Sequence, residues 1–203
     1  MNLQTTAMPE QGARGIYRLS LEYSGMEVWQ NPDRCGTCGR TTNRENATLA
    51  QDKPPVRSFP LSLTSDGFFV CSMRFRRLAE DCGFEGIEFI PLANRYNVLK
   101  VSRKVQYAPD ESIYQKQDGW CEACQTFAKS LIGMDRATVL AKGNPIGPKE
   151  IVESELRFGT ELLPSSIGWT SLHADLIVGS EVGSALAKAK LKGLRVTDQP
   201  IDL

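Results

Sequence analysis

Four of the six cysteines form two C-x-x-C motifs, CGTCG at Cys35–Gly39 and CEACQ at Cys121–Gln125. At this spacing, two thiolates on one tight turn can bind the same tetrahedral ion. Four protein ligands would leave no open position for water, so a zinc ion held in this way stabilises a fold and takes no part in catalysis. The sequence therefore predicts one structural zinc site, on Cys35, Cys38, Cys121 and Cys124.

The two motifs lie further apart than the roughly 15–20 residues of a compact zinc ribbon, so the tertiary fold has to close the site. Gly39 suits a metal-binding turn, because the backbone at this point often needs a positive φ. Two alternatives remain open: four unrelated cysteines, or a thioredoxin-like redox pair, although neither motif lies between a strand and the start of a helix. Cys71 and Cys82 have no partner at this spacing and are expected to be small buried apolar residues.

Composition bounds the class of protein. The chain has 203 residues, 41% of them apolar and 24% charged, which is typical of a globular protein with one sizeable core or two small domains. The 24 basic and 24 acidic side chains cancel, so no overall field attracts phosphate and nucleic-acid binding is not expected. One basic cluster is present near the C-terminus and is expected to be a solvated helix face: Lys188, Lys190, Lys192 and Arg195.

Targeting signals are not visible in the sequence. No stretch approaches the roughly 20 apolar residues that span a bilayer. The first residues, MNLQTTAMPEQGARG, contain no apolar segment of the secretory kind. We therefore expect a cytoplasmic protein without membrane contact, in a compartment where thiols stay reduced and paired cysteines indicate metal or redox sites.

Periodicity predicts a mixture of strands and helices. Residues 1–13 are polar and are expected to form a loose arm. Alternating apolar residues over 17–23 predict a strand, and further strands are predicted at 68–72, 86–92 and around 96–107. Helices are predicted from about Ser72 to Cys82, with Ser72 as N-cap and Gly83 as terminator, and over 126–138, around Phe127, Leu131, Ile132 and Met134.

The end of the chain resembles its middle. The order of elements predicted over 68–92 is repeated by an apolar run at 176–180, a helix over 181–190 and a strand at 191–196. The alignment places Val70 with Val178 and Ser72 with Ser180, and it needs one gap. We therefore predict an α+β fold in a single domain, 14–203. It would consist of two related strand-helix-strand halves, about 15–110 and 120–203, joined by a four-cysteine zinc site with two metal-binding turns.

Catalytic patterns are weak. His173 is the only histidine, flanked by Ser171 and Asp175, but no G-x-S-x-G motif accompanies it, and a hydrogen-bonded loop residue is the simpler interpretation. Glycine-rich phosphate loops, H-E-x-x-H motifs and dinucleotide fingerprints are missing from the sequence. We therefore expect a protein that is not an enzyme.

One acidic stretch is a candidate binding surface. It follows the Gly143–Pro148 loop and fits docking to a basic partner better than proton transfer, with a solvated face as the alternative. The candidate partner-binding residues are Glu150, Glu153, Glu155 and Glu161.

The two cysteine motifs, together with V-x-S-x-x-F…L…G-x-E-F-x-P over Val70–Pro91, resemble the double-CXXCG motif proteins. These are immunity proteins of bacterial contact-dependent polymorphic toxin systems, known mainly from myxobacteria. The segment L-I-V-G-S-E-V…L-K-G-L over Leu176–Leu194 resembles the second serine-helix segment of that family, and the likeness extends over roughly residues 15–198. Gln125 stands where the family has a glycine, so the resemblance does not fix the backbone geometry of the second metal-binding turn.

The resemblance implies a cytoplasmic protein that binds and blocks one cognate toxin, often a nuclease with a basic catalytic cleft. The main alternative is a nucleic-acid or regulatory binding protein that contains a zinc ribbon, which would bind DNA or RNA with strong salt dependence. A thiol oxidoreductase is the third hypothesis and requires a reactive cysteine of low pKa. The oligomeric state does not follow from the sequence.

Overall fold

The structure is a computed structural model. It describes residues 15–22, 59–64, 66–92, 95–108, 113–134, 145–161 and 173–198, with positions 24, 28, 30, 33, 35–38, 42, 49, 140, 141 and 143, and only the backbone at 113–118, 126–134 and 156–161. The predicted arm at 1–13 and most of residues 40–58 lie outside these residues.

Two β-sheets and two helices form the described fold, which confirms a mixed α+β protein. The first sheet has seven strands in the order β11-β1-β10-β9-β8-β7, with β6 pairing with β9, and the second has the order β2-β3-β5-β4. The strands are β1 Tyr17–Leu21, β2 Leu61–Leu63, β3 Phe69–Ser72, β4 Ile87–Pro91, β5 Tyr96–Val101, β6 Lys104–Val105, β7 Ile113–Cys121, β8 Thr126–Met134, β9 Ile151–Glu161, β10 His173–Val178 and β11 Leu194–Asp198; the helices are α1 Met73–Cys82 and α2 Ser180–Ala189.

Helix α1 begins and ends as the sequence predicts. The hydroxyl of Ser72 accepts a hydrogen bond from the backbone N–H of Phe75 at 3.4 Å. Gly83 lies at the C-cap with a φ of 65°, and its N–H reaches the carbonyl oxygens of the last helical turn. Because glycine adopts this left-handed conformation without steric cost, it ends the helix cleanly.

The helix predicted over 126–138 is wrong, since residues Thr126–Met134 form strand β8. β8 pairs with β7 along the whole hairpin, from Cys121–Thr126 to Ile113–Met134, and with β9 over Ser130–Ile132. The backbone hydrogen bonds of this segment are therefore satisfied by neighbouring strands, and this tertiary context outweighs a local pattern that fits either element.

One hydrophobic core joins both sheets and both helices. Phe75 of α1 and Leu186 of α2 lie in it and are 0% and 1% exposed. Leu19, Leu99 and Leu176 contribute from the sheets. Smaller clusters cover the outer faces, one around Tyr107 and Leu140 and one around Val28 and Val98.

The segments β3-α1-β4 and β10-α2-β11 have matching geometry. Both helices have ten residues and both following strands have five. An antiparallel strand lies between the two strands of each segment, β5 in one and β1 in the other. Residues 69 and 89 both pair with Leu99 of β5, and residues 176 and 196 both pair with Leu19 of β1. The two residues that flank the middle strand are therefore 20 positions apart in both segments.

This geometry corrects the sequence alignment of the two segments. The N-caps of the two helices are residues 72 and 179, and the left-handed C-caps are residues 83 and 190. Each segment also has a glycine with a positive φ, 79° at residue 86 and 77° at residue 193. A constant offset of 107 relates all three pairs of positions without a gap. Ser180 is therefore not the N-cap of α2.

Gly179 is the N-cap of α2, and the loop before β9 explains why α2 has a glycine where α1 has a serine. A Cβ on Gly179 would lie 2.0 Å from the carbonyl oxygen of Gly147. The carbonyl oxygen of Pro148 accepts from the N–H groups of Glu181 and Val182 at 2.9 and 3.3 Å, in place of a serine side chain.

The sheets do not follow the predicted boundary between residues 110 and 120. β1, from the beginning of the chain, lies between β10 and β11, and β6 pairs with β9. Strands from both sides of the boundary share one sheet, because each buried strand needs two neighbours to satisfy its backbone.

Candidate metal centre

The first cysteine pair lies on a turn in the connection between β1 and β2. The backbone N–H of Thr42 donates to the carbonyl oxygen of Asp33 at 2.8 Å and closes the chain around this turn. Cys35 and Cys38 are half-buried. Gly39 lies outside the described residues, so its expected positive φ stays a prediction.

The second pair lies on the turn of the β7–β8 hairpin. Cys121 is the last residue of β7, is 5% exposed and pairs with Thr126, the first residue of β8. Cys124 is half-buried. Gln125 has a φ of 51°, the left-handed region in which a residue other than glycine is strained. The turn therefore adopts at Gln125 a backbone conformation that favours glycine.

The four sulfurs converge. The Sγ atoms of Cys35 and Cys121 are 3.8 Å apart, and those of Cys38 and Cys124 are 3.7 Å apart. All four lie within 4.8 Å of one another, and all four are free thiols. A tetrahedral ion with sulfur ligands at about 2.3 Å has ligand–ligand distances of about 3.8 Å. The four thiols can therefore hold a metal ion with little rearrangement.

The pKa values of two of the four cysteines, Cys35 and Cys124, are shifted in opposite directions. Backbone N–H groups of Cys38 and Thr37 stabilise the thiolate of Cys35 and lower its pKa to about 6. Desolvation, followed by hydrogen bonding to the other sulfurs, raises the pKa of Cys124 to about 12. The thiol of Cys35 therefore loses its proton readily, whereas the thiol of Cys124 keeps its proton until a cation compensates for the charge, as metal binding to cysteines requires.

Trp120 borders the second turn and is the exposed large apolar side chain of the described residues, at 51%. Glu122 is exposed on the turn itself. The sequence pattern did not single out either residue, although an aromatic residue beside a metal-binding turn is a detectable signal.

The four candidate partner-binding glutamates do not form one exposed set. Glu150 is bound to Arg103, with N–O distances of 2.6 and 2.8 Å. Glu153 is buried at 8% exposure, whereas Glu155 is exposed on β9. For Glu161 the structure describes only the backbone. Glu153 and Glu155 would share one face of a regular strand, but the register of β9 against β10 shifts between Glu153 and Arg157, so the two side chains differ in exposure.

His173 does not form a described triad. It is the first residue of β10 and half-buried, and Ser171 lies outside the described residues. The carboxylate of Asp175 accepts the hydroxyl of Tyr107 at 2.8 Å and lies 3.7 Å from the guanidinium of Arg18. Burial, with the Asp175 charge second, raises the pKa of Tyr107 well above its usual value. Asp175 thus serves a part-buried structural contact, where the register between β9 and β10 shifts.

The other two cysteines lie apart from this cluster. Cys71 is fully buried in β3, and desolvation raises its pKa to about 12. Cys82, at the end of α1, is half-buried and lines a cavity of about 440 Å³ beside Lys149 and Ser184. The four basic residues near the C-terminus are all exposed, as a solvated surface predicts: Lys188, Lys190, Lys192 and Arg195.

Neither α1 nor α2 has the length and apolar character that a bilayer crossing needs, and they are the helices of the described residues.

Comparisons with known proteins add no relative. No protein-family model matches the chain, and no curated protein matches it.

Proposed function

We propose that this protein is a zinc-stabilised immunity protein that binds a bacterial toxin and blocks it, without catalytic activity of its own. The observation that carries the proposal is the meeting of Cys35, Cys38, Cys121 and Cys124, because the two motifs that resemble the double-CXXCG proteins are the two turns that meet. A closed four-thiolate site stabilises a scaffold and leaves no open coordination position for catalysis by the metal. A cytoplasmic location fits this role, since thiols stay reduced there.

Zinc is the proposed ion. Four thiolates with tetrahedral spacing favour zinc or iron, and zinc is the ion most often held by two C-x-x-C turns in reduced compartments. Such a site ties the β7–β8 hairpin to the chain between β1 and β2, two segments that meet nowhere else through a described strand pairing. Binding the ion would therefore add directly to the free energy of folding.

Elemental analysis of protein purified without added metal tests the ion. One zinc per chain is expected, with loss of zinc in Cys121→Ser. Cys82→Ser is the matched control, because Cys82 is also half-buried but lies outside the cluster, and it should keep its zinc. Metal-free wild-type protein that unfolds at the same temperature as the purified form would refute a stabilising metal.

Trp120 and Glu122 are the proposed toxin contacts on the second turn. An exposed tryptophan beside a carboxylate offers the kind of anchor that dominates protein interfaces, with a charge suited to a basic cleft. Glu155 is the exposed member of the acidic residues on β9 and is retained as a peripheral contact. Trp120→Ala should weaken toxin binding at least tenfold, as loss of a central anchor does, whereas Trp120→Phe should retain most of the affinity.

Co-expression with the toxin encoded beside its gene tests the function. Growth should be rescued and the two proteins should copurify. The Cys82→Ser variant should rescue growth as the wild type does, and Cys121→Ser should rescue it poorly because the scaffold is weakened. Failure of the wild-type protein both to rescue growth and to copurify would end the proposal.

We also infer that the fold contains two copies of one four-stranded unit, the second of them circularly permuted. Unit A is β2-β3-α1-β4-β5, and unit B is the start of β9 followed by β10-α2-β11, with β1 as its fourth strand. Equal lengths of the two helices and of the strands that follow them, equal registers and the shared offset of 107 support this. The edge pairings also correspond, since Leu61 faces Cys71 and Ile151 faces Val178.

A further inference from the structure

We propose that the four clustered cysteines are also an oxidation site, at which peroxide forms two disulfides between the turns, Cys35–Cys121 and Cys38–Cys124. Two sulfur contacts join one turn to the other, at 3.8 and 3.7 Å. The proposal uses the geometry of the proposed metal site but not the identity of the metal or the toxin-binding function.

Access to the sulfurs supports the reaction. Cys35, Cys38 and Cys124 are half-buried, whereas Cys121 is buried. Gly36, Thr37, Glu122 and Ala123, which surround them on the two turns, are exposed. A small oxidant can therefore reach one sulfur of each cross-turn pair from solvent, and the second sulfur of the pair lies within reach for closure.

Each disulfide consumes one hydrogen peroxide. A thiolate of the pair attacks one peroxide oxygen, the O–O bond breaks, and the hydroxide that leaves takes up a proton to form water. The second thiolate attacks the resulting sulfenic sulfur, the S–S bond forms, and a second hydroxide leaves as water. The two sulfurs lose two electrons, which the two oxygens gain.

The pairing decides what oxidation does to the fold. Disulfides within each C-x-x-C would remove the metal ligands and separate the β7–β8 hairpin from the Cys35–Cys38 turn. Disulfides between the turns remove the same ligands but keep these segments connected covalently, over a long closed loop that limits the unfolded chain. The oxidised protein is therefore expected to stay folded after its metal has left.

Peptide mapping of wild-type protein treated with hydrogen peroxide tests the pairing. Trypsin cleaves after Arg34, Arg40, Lys116 and Lys129, so the two turns fall on peptides 35–40 and 117–129. We expect these peptides to be linked, the free thiols to fall by four per chain, and Cys71 and Cys82 to stay reduced. Disulfides confined within 35–40 and within 117–129, or sulfinic acids in place of disulfides, would overturn the proposal.

Paired double variants, tested without metal, identify which sulfurs meet. Cys35→Ser with Cys121→Ser leaves Cys38 and Cys124, whereas Cys35→Ser with Cys124→Ser leaves Cys38 and Cys121. The first variant should form its disulfide at least severalfold faster than the second, because its sulfurs are one of the two proposed pairs and lie 3.7 Å apart. Equal rates would overturn the assignment of partners, and the wild-type peptide map remains decisive if a variant does not fold.

The metal and the disulfides have separate readouts. Purified protein without zinc that still forms the cross-turn disulfides would refute the metal while supporting this inference. Protein that contains zinc but forms disulfides within each turn would support the metal and refute this inference.

Discussion

Arg103 binds the carboxylate of Glu150 through two nearly parallel hydrogen bonds, from Nε at 2.6 Å and from a terminal nitrogen at 2.8 Å. The same guanidinium donates to the carbonyl oxygen of Pro145, and the N–H of Gly147 donates to Glu150. Arg103 follows β5 of one sheet and Glu150 precedes β9 of the other. This ion pair therefore fixes the loop between the sheets, the same loop that replaces a serine cap on α2.

Glu150→Gln should destabilise the protein by about 1 kcal/mol, toward the lower end for charged hydrogen bonds because the Arg103 side chain is 36% exposed. Urea unfolding at neutral pH measures the change. Glu88→Gln is the control, since Glu88 pairs with Lys100 at 3.8 Å with both side chains more than 60% exposed (64% and 63%), and it should change stability by less than about 0.5 kcal/mol. Equal losses in both variants would contradict a special role for the Arg103 pair.

The same pair predicts a pH dependence. The hydrogen bond from Arg103 holds the pKa of Glu150 below its usual value. A carboxylate with a lowered folded pKa contributes stability that is complete above its unfolded pKa, about 4.3, and is lost as pH falls through the folded value. Wild-type protein and Glu150→Gln should therefore differ at pH 7 and converge below about pH 4. A difference that stays constant to pH 3 would contradict this contribution.

Gly86→Ala should cost about 2–4 kcal/mol, because the new Cβ would lie 2.6 Å from the backbone oxygen of Ile151 and the residue has a φ of +79°. Gly143→Ala separates the two causes. Gly143 has a φ of +86° but no atom within 4 Å of a Cβ, so it should cost only the roughly 1–2 kcal/mol of a left-handed conformation. Thermal or urea unfolding of both variants gives the comparison, and equal losses would show that the contact with β9 is unimportant.

Much of the site and part of the fold followed from local sequence signals. The cysteine spacing predicted the cluster, because a four-thiolate site restricts its ligands strongly, and Ser72 and Gly83 predicted the limits of α1. The strand β8 was missed because its apolar residues fit a helix as well as a strand, and only pairing with β7 and β9 decides between them. Arg103 and Glu150 are far apart in sequence, and no local pattern indicates that they meet. The environments of Glu150 and Glu153 could not be predicted from the acidic stretch, because they come from the tertiary structure.

Gln125→Gly should stabilise the protein by about 0.5–1 kcal/mol. A non-glycine residue in the left-handed region costs about 1–2 kcal/mol, and the greater freedom of glycine in the unfolded chain offsets part of the gain. Lys190→Gly should behave in the same way, since Lys190 has a φ of 47° at the C-cap of α2, where α1 has a glycine.

Glu122→Gly is the control for both variants, because Glu122 lies on the same turn as Gln125 without a positive φ and should gain no stability. Thermal unfolding of the metal-bound proteins measures all three. A gain in Glu122→Gly equal to that in Gln125→Gly would attribute the effect to something other than backbone strain.

A circularly permuted chain should fold, because the two units need not share the present order of strands. Asp198 of β11 lies directly opposite Tyr17 of β1, as Pro91 of β4 lies opposite Asn97 of β5. The segment Leu92–Tyr96 connects the latter pair, so the same five residues, LANRY, should connect 198 to 17. The permuted chain would begin at residue 113 and end at residue 108, with β11 and β1 joined as a hairpin and both cysteine turns retained.

We expect this chain to unfold cooperatively within about 5 °C of the original, a difference of about 2 kcal/mol for a protein of this size. It should also bind metal with the same stoichiometry. A second permuted chain, opened between Leu99 and Lys100 inside β5, is the control and should not fold, because it breaks the middle strand of unit A. Failure of both chains to fold would refute the two-unit inference. Folding of the first chain alone would support it, because β1 would then follow β11 in the chain as β5 follows β4.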